Sequence, residues 1–135
     1  MTLLADTSVS VAALMEGHVA HVAVRDRING VDVALAAHSA LETYSVLTRL
    51  PGDARVSPPD AAVLISSTFG STEHLPVAAA DDLIADLAAS EVAGGAVYDA
   101  LIGLTARAAG RVLLTRDVRA SATYSRLNIA HEFIR

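Results

Sequence analysis

The sequence predicts an α/β fold, a three-layer α/β/α sandwich with a mostly parallel central sheet. Short apolar runs alternate with helical segments in the order β-α-α-β-α-α-β-α-α-β-α-β. Strands that are separated by helices pair in parallel, with helices on both faces of the sheet. The chain has 135 residues, 53% of them hydrophobic, which suffices for the core of one domain. We therefore expect a single domain over residues 1–135.

The elements of the first half are predicted from apolar runs and from helix start and stop signals. Residues 2–5 form a short apolar run, typical of a buried strand, which ends at Asp6. Thr7 or Ser8 suits the N-cap of the next helix, and Pro59 suits the first turn of a later one. We expect strands over residues 2–5 and 31–36, and helices over residues 9–15, 18–28, 39–50 and 60–69.

The second half continues the same alternation. Leu83, Ile84 and Leu87 lie on one face of a helix, Gly94-Gly95 interrupts the chain, and Gly110 ends a strong helix. The Val-Leu-Leu run that follows is a buried strand ending at Arg116-Asp117. We expect strands over residues 73–77, 111–115 and 129–134, and helices over residues 79–92, 97–109 and 121–127.

The composition excludes several classes of functional site. The absence of cysteine removes disulfide scaffolds, thiolate zinc sites and cysteine nucleophiles. All ten basic residues are arginine, so a phosphate-loop nucleotidase and a Schiff-base enzyme, both of which need a lysine, are excluded as well. With three tyrosines, two phenylalanines and no tryptophan, an aromatic platform for single-stranded nucleic acid is poorly supported.

The charge is distributed unevenly along the chain. The first 99 residues hold four arginines and 13 acids, whereas residues 100–135 hold six arginines and two acids. This asymmetry indicates an anionic partner at one end of the chain, although solvated helix faces produce the same pattern. No basic leader and no apolar stretch of the ~20 residues that span a bilayer is present. We expect a cytoplasmic protein without membrane association.

Four acids stand where helix and strand physics does not require them. Asp6 and Asp117 end predicted strands, Glu42 lies in a nearly uncharged helix, and Asp99 faces the apolar side of its helix. Each has a structural alternative: Asp6 and Asp117 suit N-caps, Asp99 suits a helix dipole, and Glu42 suits an ion pair. Together, however, carboxylates at one sheet edge repel each other and favour a divalent cation. Oxygen-only ligands favour Mg²⁺ or Mn²⁺ over Zn²⁺.

The order and flanks of these acids resemble PIN-domain ribonucleases, and the small size resembles the VapC-type toxins of type II toxin–antitoxin modules. The resemblance covers the whole chain. It is carried by the four acids in order and by the segment after Asp117. The matching segments are Leu-Leu-Ala-Asp-Thr-Ser at 3–8, Ser-Ala-Leu-Glu-Thr-Tyr-Ser-Val-Leu at 39–47, Val-Tyr-Asp-Ala-Leu-Ile at 97–102, Leu-Leu-Thr-Arg-Asp at 113–117 and Ala-Thr-Tyr at 122–124.

The resemblance implies the roles of the acids. Asp6 and Asp99 are the principal ligands of Mg²⁺, or of Mn²⁺, and Glu42 and Asp117 support them, while hydroxyls at Thr7, Ser8 or Thr115 orient the carboxylates. The implied reaction is metal-assisted hydrolysis of an RNA phosphodiester, leaving 5′-phosphate and 3′-hydroxyl ends. Where some PIN domains carry a further acid, residue 119 is an arginine, so the number of metals stays open.

The resemblance also implies partners. These are an RNA substrate, a VapB-like antitoxin whose helix fills an apolar groove between the helices at 39–50 and 60–69, and a second copy of the chain in a homodimer. Arginines around the Asp99 helix and the Asp117 turn are candidates for RNA phosphate contacts, although cations at a helix end also offset its dipole. These candidates are Arg107, Arg111, Arg116 and Arg119.

Two other functions remain open from the sequence. One is a non-catalytic PIN-like binding module, which would not need metal at its acids. The other is an aspartate-dependent phosphatase on a similar sheet, although such enzymes use Asp-x-Asp and a lysine where this chain has Asp6-Thr7-Ser8 and no lysine.

Overall fold

Five parallel strands form the central sheet of the computed structural model, which describes residues 1–135. In chain order they are β1 (Thr2–Ala5), β2 (Asp32–Ala36), β3 (Thr72–Glu73), β4 (Val112–Thr115) and β5 (His131–Phe133). Their spatial order is β3-β2-β1-β4-β5, with every neighbouring pair parallel. The chain thus builds the sheet outward from β1 in one direction and then returns to β1's other side. The carboxyl ends of β1 and β4 form the topological switch point, where α/β sheets bind ligands.

Seven helices cover the sheet, and their order agrees with the sequence prediction. They are α1 (Thr7–Leu14), α2 (His21–Ile28), α3 (Ala37–Thr48), α4 (Pro58–Thr68), α5 (Val77–Ala89), α6 (Ala96–Ala108) and α7 (Val118–Arg126). A short 3₁₀ turn at Gly52–Ala54 links α3 to α4. None of these helices is both long and apolar enough to cross a membrane.

The alternation of side chains along β1 divides the core into two. Leu3 and Ala5 face a cluster completed mainly by α1 and α2. Leu4 faces the opposite side, where Ile102 of α6 and Tyr124 of α7 pack against it. Successive strand residues point to opposite faces, so the three buried apolar residues of β1 serve both cores. The three-layer α/β/α arrangement is therefore confirmed.

Helix ends are where the prediction was least accurate. Of the N-caps that the sequence offered for α1, Thr7 and Ser8 are wrong and Asp6 is confirmed, since it accepts a hydrogen bond from the Val9 amide. Asp117 likewise caps α7, which starts three residues before the predicted helix. The predicted strand 73–77 is only two residues long, because Pro76 already serves as the N-cap of α5. In contrast, Gly110 follows α6 with φ of 67°, as expected for a glycine that ends a helix.

Candidate active site

An open cleft of about 530 Å³ lies at the switch point, beside the carboxyl ends of β1 and β4. Its walls come from the residues after these two strands and from α1, α3 and α6. All four predicted acids line it: Asp6, Glu42, Asp99 and Asp117. Parallel strands end at the same sheet edge, so residues more than 100 positions apart in the sequence meet there.

Asp6 is the buried acid of the cleft, with 3% of the residue exposed. Its Oδ1 accepts hydrogen bonds from the Val9 amide at 3.2 Å and from the Ser8 hydroxyl at 2.6 Å. Ser8 Oγ in turn accepts a hydrogen bond from the Arg116 amide at 2.8 Å, which ties the ends of β1 and β4 together. Burial raises the pKa of Asp6, and these hydrogen bonds oppose that rise.

The second oxygen of Asp6 is held by Tyr124 from α7. The fully buried tyrosine donates its hydroxyl to Asp6 Oδ2 at 3.1 Å. Burial and the nearby carboxylates raise the pKa of Tyr124, so it remains a donor. Gly103 of α6 makes room for this ring: a Cβ there would lie 3.1 Å from the Tyr124 ring and 2.5 Å from Ile129. A glycine in the middle of a helix lowers stability by about 0.5–1 kcal/mol relative to alanine. The close packing against Gly103 explains why a glycine stands there in spite of this loss.

Glu42 projects from α3 across the cleft to α1. Its Oε1 accepts a hydrogen bond from the Thr7 hydroxyl at 2.8 Å and lies 3.6 Å from His38 Nε2, one turn earlier on α3. Its side chain is 40% exposed. His38 lies in the first turn of α3, which starts at Ala37.

Asp99 lies in the first turn of α6 and is the electrostatically strained acid of the cleft. The positive charge of Arg119 is the one influence that lowers the pKa of this carboxyl. Partial burial, and then the negative charges of Asp117, Asp6 and Glu42, raise its pKa to about 6. Because three carboxylates act on one, the acids share a common electrostatic site.

Asp117 combines a structural task with a place in the cleft. Its Oδ1 accepts hydrogen bonds from the amides of Arg119 and Ala120 at 2.9 and 3.2 Å. Its own amide donates to Thr115 Oγ1 at 3.1 Å. One oxygen thus performs the capping, so capping and lining the cleft are compatible in this residue.

The four candidate arginines separate into two pairs. Arg116 lines the cleft, and its Nε is buried without a hydrogen-bond partner. Arg119 is exposed and close enough to lower the pKa of Asp99. Arg107, in contrast, lies near the other end of α6, about 12 Å of helix rise from Asp99, and bonds the Leu127 carbonyl.

Arg111 is not brought to the cleft either. Its guanidinium donates to Asp32 and Glu73, each at 3.1 Å, and to the Leu3 carbonyl at 3.1 Å. The side chain is only 11% exposed. These bonds explain the residue as a structural cation and remove it, with Arg107, from the candidate phosphate contacts.

The donor set fits a hard divalent cation. Every acid in the cleft offers carboxylate oxygen, and neither cysteine nor a buried imidazole competes. As the side chains stand, no group of three or more acids and histidines is gathered closely enough to hold a metal ion. Carboxylates brought closer together would repel one another unless a cation lay between them. Glu42 can move toward the other acids by rotation of its side chain, because the only hydroxyl that holds it is that of Thr7.

Among the residues that hold the acids, the family resemblance implied Thr7 and Ser8, whose hydroxyls do bond Glu42 and Asp6, but sequence reasoning missed Tyr124. Tyr124 was noted only for its helix, and its buried hydroxyl carries no periodic signal. His18, which lines the cleft, was assigned to a helix that in fact begins at His21. The stacking of His38 on Tyr98, with ring centroids 5.2 Å apart, was not expected.

Comparisons with known proteins agree with the predicted family and fold. A family model described as PIN domain matches residues 3–125. The chain is 43% identical over 135 residues to Ribonuclease VapC27 of Mycobacterium tuberculosis (strain ATCC 25618 / H37Rv), covering 94% of this chain and 93% of that protein. It is 46% identical over 130 residues to Ribonuclease VapC40 of the same strain, covering 96% of each.

A solved structure supports the fold independently. The crystal structure of VapBC2 from Rickettsia felis, bound to a DNA fragment from their promoter, contains a chain that superposes with a TM-score of 0.72. The superposition covers 100% of both chains at 14% sequence identity. At that identity the likeness shows the architecture alone.

Proposed function

Because this chain belongs to the PIN-domain family, we propose that it is a metal-dependent endoribonuclease, the toxin of a type II toxin–antitoxin pair. The observation that carries the proposal is the meeting of Asp6, Glu42, Asp99 and Asp117 in one cleft. The near full-length similarity to two proteins named ribonuclease supports the choice of RNA as substrate. We propose that residues 1–135 act as one domain in the cytoplasm.

The proposed metal ligands are Asp6 and Asp99, with Glu42 and Asp117 in support, and the proposed ion is Mg²⁺, with Mn²⁺ as the alternative. The oxygen-only donors and the raised pKa of Asp99 support this assignment. A bound divalent ion supplies Lewis acidity, lowers the pKa of water and neutralises charge on the phosphoryl group.

The remaining residues of the cleft position these acids. Ser8 and Tyr124 hold the two oxygens of Asp6 in a fixed orientation, and Thr7 orients Glu42. Arg116 and Arg119 face the negative charge of an RNA phosphate in the proposed complex. An arginine with an unpartnered buried Nε gains a hydrogen bond there that it lacks in the free protein.

We propose that a VapB-like antitoxin binds the apolar groove between α3 and α4. The groove has a volume of about 520 Å³, and Leu41 and Tyr44 of α3 line it together with Ile65 of α4. Leu41 is 66% exposed, and a groove with an exposed apolar lining favours an amphipathic partner helix.

A homodimer, which the family resemblance implies, completes the proposal. Sedimentation at micromolar concentration tests it, and a monomer at every concentration would contradict it. Co-expression with a VapB-like antitoxin tests this partner: the toxin alone should slow growth, and the pair should not.

The central experiment is RNA cleavage by the purified protein with Mg²⁺, with Mn²⁺ and with excess EDTA. We expect cleavage in both metals, with 5′-phosphate and 3′-hydroxyl ends, and none in EDTA. Equal cleavage in EDTA would overturn the metal-dependent mechanism. A protein that binds RNA but cuts none under any condition would instead be a binding module.

A further inference from the structure

Two aromatic rings stack beside the acidic cleft, and the proposed chemistry does not use them. His38, in the first turn of α3, and Tyr98, in the first turn of α6, lie with ring centroids 5.2 Å apart and an interplanar angle of 9°. They join two helices that approach each other only at this end of the molecule. The small number of aromatic residues in the sequence argued against an aromatic platform. Composition cannot show, however, that two rings come together in the folded chain.

The ring pair is continuous with the cleft. His38 Nε2 lies 3.6 Å from Glu42 Oε1, which also accepts the Thr7 hydroxyl. Tyr98 immediately precedes Asp99 in α6. A nucleotide whose phosphate lies among the acids therefore has its own sugar or the next one within reach of the rings, given the length of one nucleotide unit.

Tyr98 presents an open aromatic surface. A parallel stack covers only one face of a ring, and Tyr98 is 55% exposed in spite of it. His38, with 24% of its side chain exposed, backs the tyrosine and limits its rotation. A pre-oriented ring loses little rotamer entropy when another flat group stacks on it.

The two sides of the cleft carry opposite charges and therefore suit different chemical groups. Glu42 adjoins the rings and repels a phosphate, whereas Arg116 and Arg119, after β4 and at the start of α7, attract one. A neutral flat group suits the ring side, and an anion suits the arginine side. A nucleotide unit has both, and every nucleobase offers a face for stacking.

We propose that Tyr98, backed by His38, is the stacking platform for one unpaired nucleobase next to the scissile phosphate. The proposal rests on the proposed ribonuclease function and names the form of its substrate: single-stranded RNA with at least one base turned out of its stack. The platform selects for an unstacked base and does not select strongly among the four bases.

The test measures binding rather than cleavage. The probe is a 5′-labelled single-stranded 12-mer RNA of mixed sequence, together with a series in which each position in turn lacks its base. Binding is measured in the Asp99→Asn background, which should bind without cutting. There, Tyr98→Ala and Tyr98→Leu should each raise Kd about ten-fold, whereas Tyr98→Phe, which keeps the ring, should change it less than about two-fold.

The series of abasic probes locates the base. At one position of the probe, removal of the base should weaken binding about ten-fold when Tyr98 is present. The same abasic probe should bind Tyr98→Ala no more weakly than the complete probe does. Phe133→Ala is the matched control, because Phe133 is a partly exposed aromatic residue of β5 that lines neither the cleft nor the apolar groove. It should bind the probe as the background protein does.

Different failures have different meanings. RNA binding that is unchanged in Tyr98→Ala overturns the platform and leaves the ribonuclease proposal intact. The same conclusion follows if every abasic probe that binds the background protein more weakly binds Tyr98→Ala more weakly by the same factor, so that the two losses multiply. Loss of self-association or of antitoxin binding in Tyr98→Ala, without loss of RNA binding, assigns the rings to a protein partner and also overturns it. A wild-type protein that neither binds nor cuts RNA refutes both proposals.

Discussion

The acidic cleft and the surroundings of Arg111 use the same residue types in opposite ways. Around Arg111, two carboxylates, Asp32 and Glu73, each meet one guanidinium at 3.1 Å, and the arginine is 11% exposed. In the cleft, Asp99 faces three further carboxylates, and its pKa rises to about 6. The paired cluster is the arrangement that stability favours, whereas the cleft holds like charges that stability disfavours. The difference supports the proposal that the cleft is the functional end of the sheet.

The largest effect should come from neutralising the strained acid. Asp99→Asn keeps the shape of the side chain and removes one charged ligand, so we expect RNA cleavage to fall at least ~100-fold. Metal-free stability should be equal or higher by up to ~1 kcal/mol, because one like charge is gone. The measurements are cleavage rate and urea unfolding in EDTA.

A matched control separates this effect from a loss of charge in general. Asp82→Asn removes an exposed acid of α5 that lies away from the cleft. It should leave cleavage unchanged. If Asp99→Asn cuts RNA as well as Asp82→Asn does, Asp99 is not part of the site.

Breaking the paired cluster should have the opposite effect on stability. Arg111→Met leaves Asp32 and Glu73 without their cation and the Leu3 carbonyl without its donor. We expect a loss of about 2–3 kcal/mol in unfolding free energy, below the full value for a buried pair because both acids are partly exposed.

Arg49→Met serves as the control for Arg111→Met, since Arg49 is exposed at the end of α3. It should change stability by less than about 0.5 kcal/mol. Equal urea midpoints for the two variants would refute the structural role of Arg111.

A smaller effect is expected where the cleft does satisfy an acid. Tyr124→Phe keeps the ring against Gly103 and removes the hydroxyl that Asp6 Oδ2 accepts. Stability should fall by about 1 kcal/mol, and the metal concentration for half-maximal thermal stabilisation should rise several-fold, because a released Asp6 is less well oriented. An unchanged metal dependence would make Tyr124 a packing residue only.

The smallest effect concerns pH. The pKa of Asp99 is about 6 in the folded protein and near 3.8 in the unfolded chain, so the folded state binds the extra proton between these values. In EDTA, stability should therefore fall as the pH rises from 4 to 7. Solvent screening limits the change to about 1 kcal/mol. Asp99→Asn should remove this component, and an identical pH profile in the variant would contradict the assignment.

The sequence predicted the order of the elements because each strand is a short apolar run between clear helices. It also predicted that Asp6 and Asp117 lie at strand ends, and parallel pairing does bring them to one edge. It predicted the helix ends less well: Thr7 or Ser8 was expected to cap α1, and α7 was expected to start three residues later, although Asp6 and Asp117 were recognised as alternative caps. A capping acid and a ligand acid look alike in a sequence.

The contacts that cross the molecule could not be read from local patterns. Arg111 reaches Asp32 over 79 positions, and Tyr124 reaches Asp6 over 118. Neither pair shares an element or a periodicity, so the arginine was misjudged and the tyrosine missed. His38 and Tyr98 likewise meet only because α3 and α6 approach each other.

Manganese binding measured by isothermal titration calorimetry tests most directly whether the four acids form a metal site. The comparison needs wild type, Asp6→Asn, Asp99→Asn and the control Asp82→Asn, each stripped of metal. We predict that wild type and Asp82→Asn bind Mn²⁺ alike, and that each cleft variant binds it at least about ten-fold more weakly. Equal Mn²⁺ affinity in wild type and Asp99→Asn, or no binding by wild type, would contradict the account.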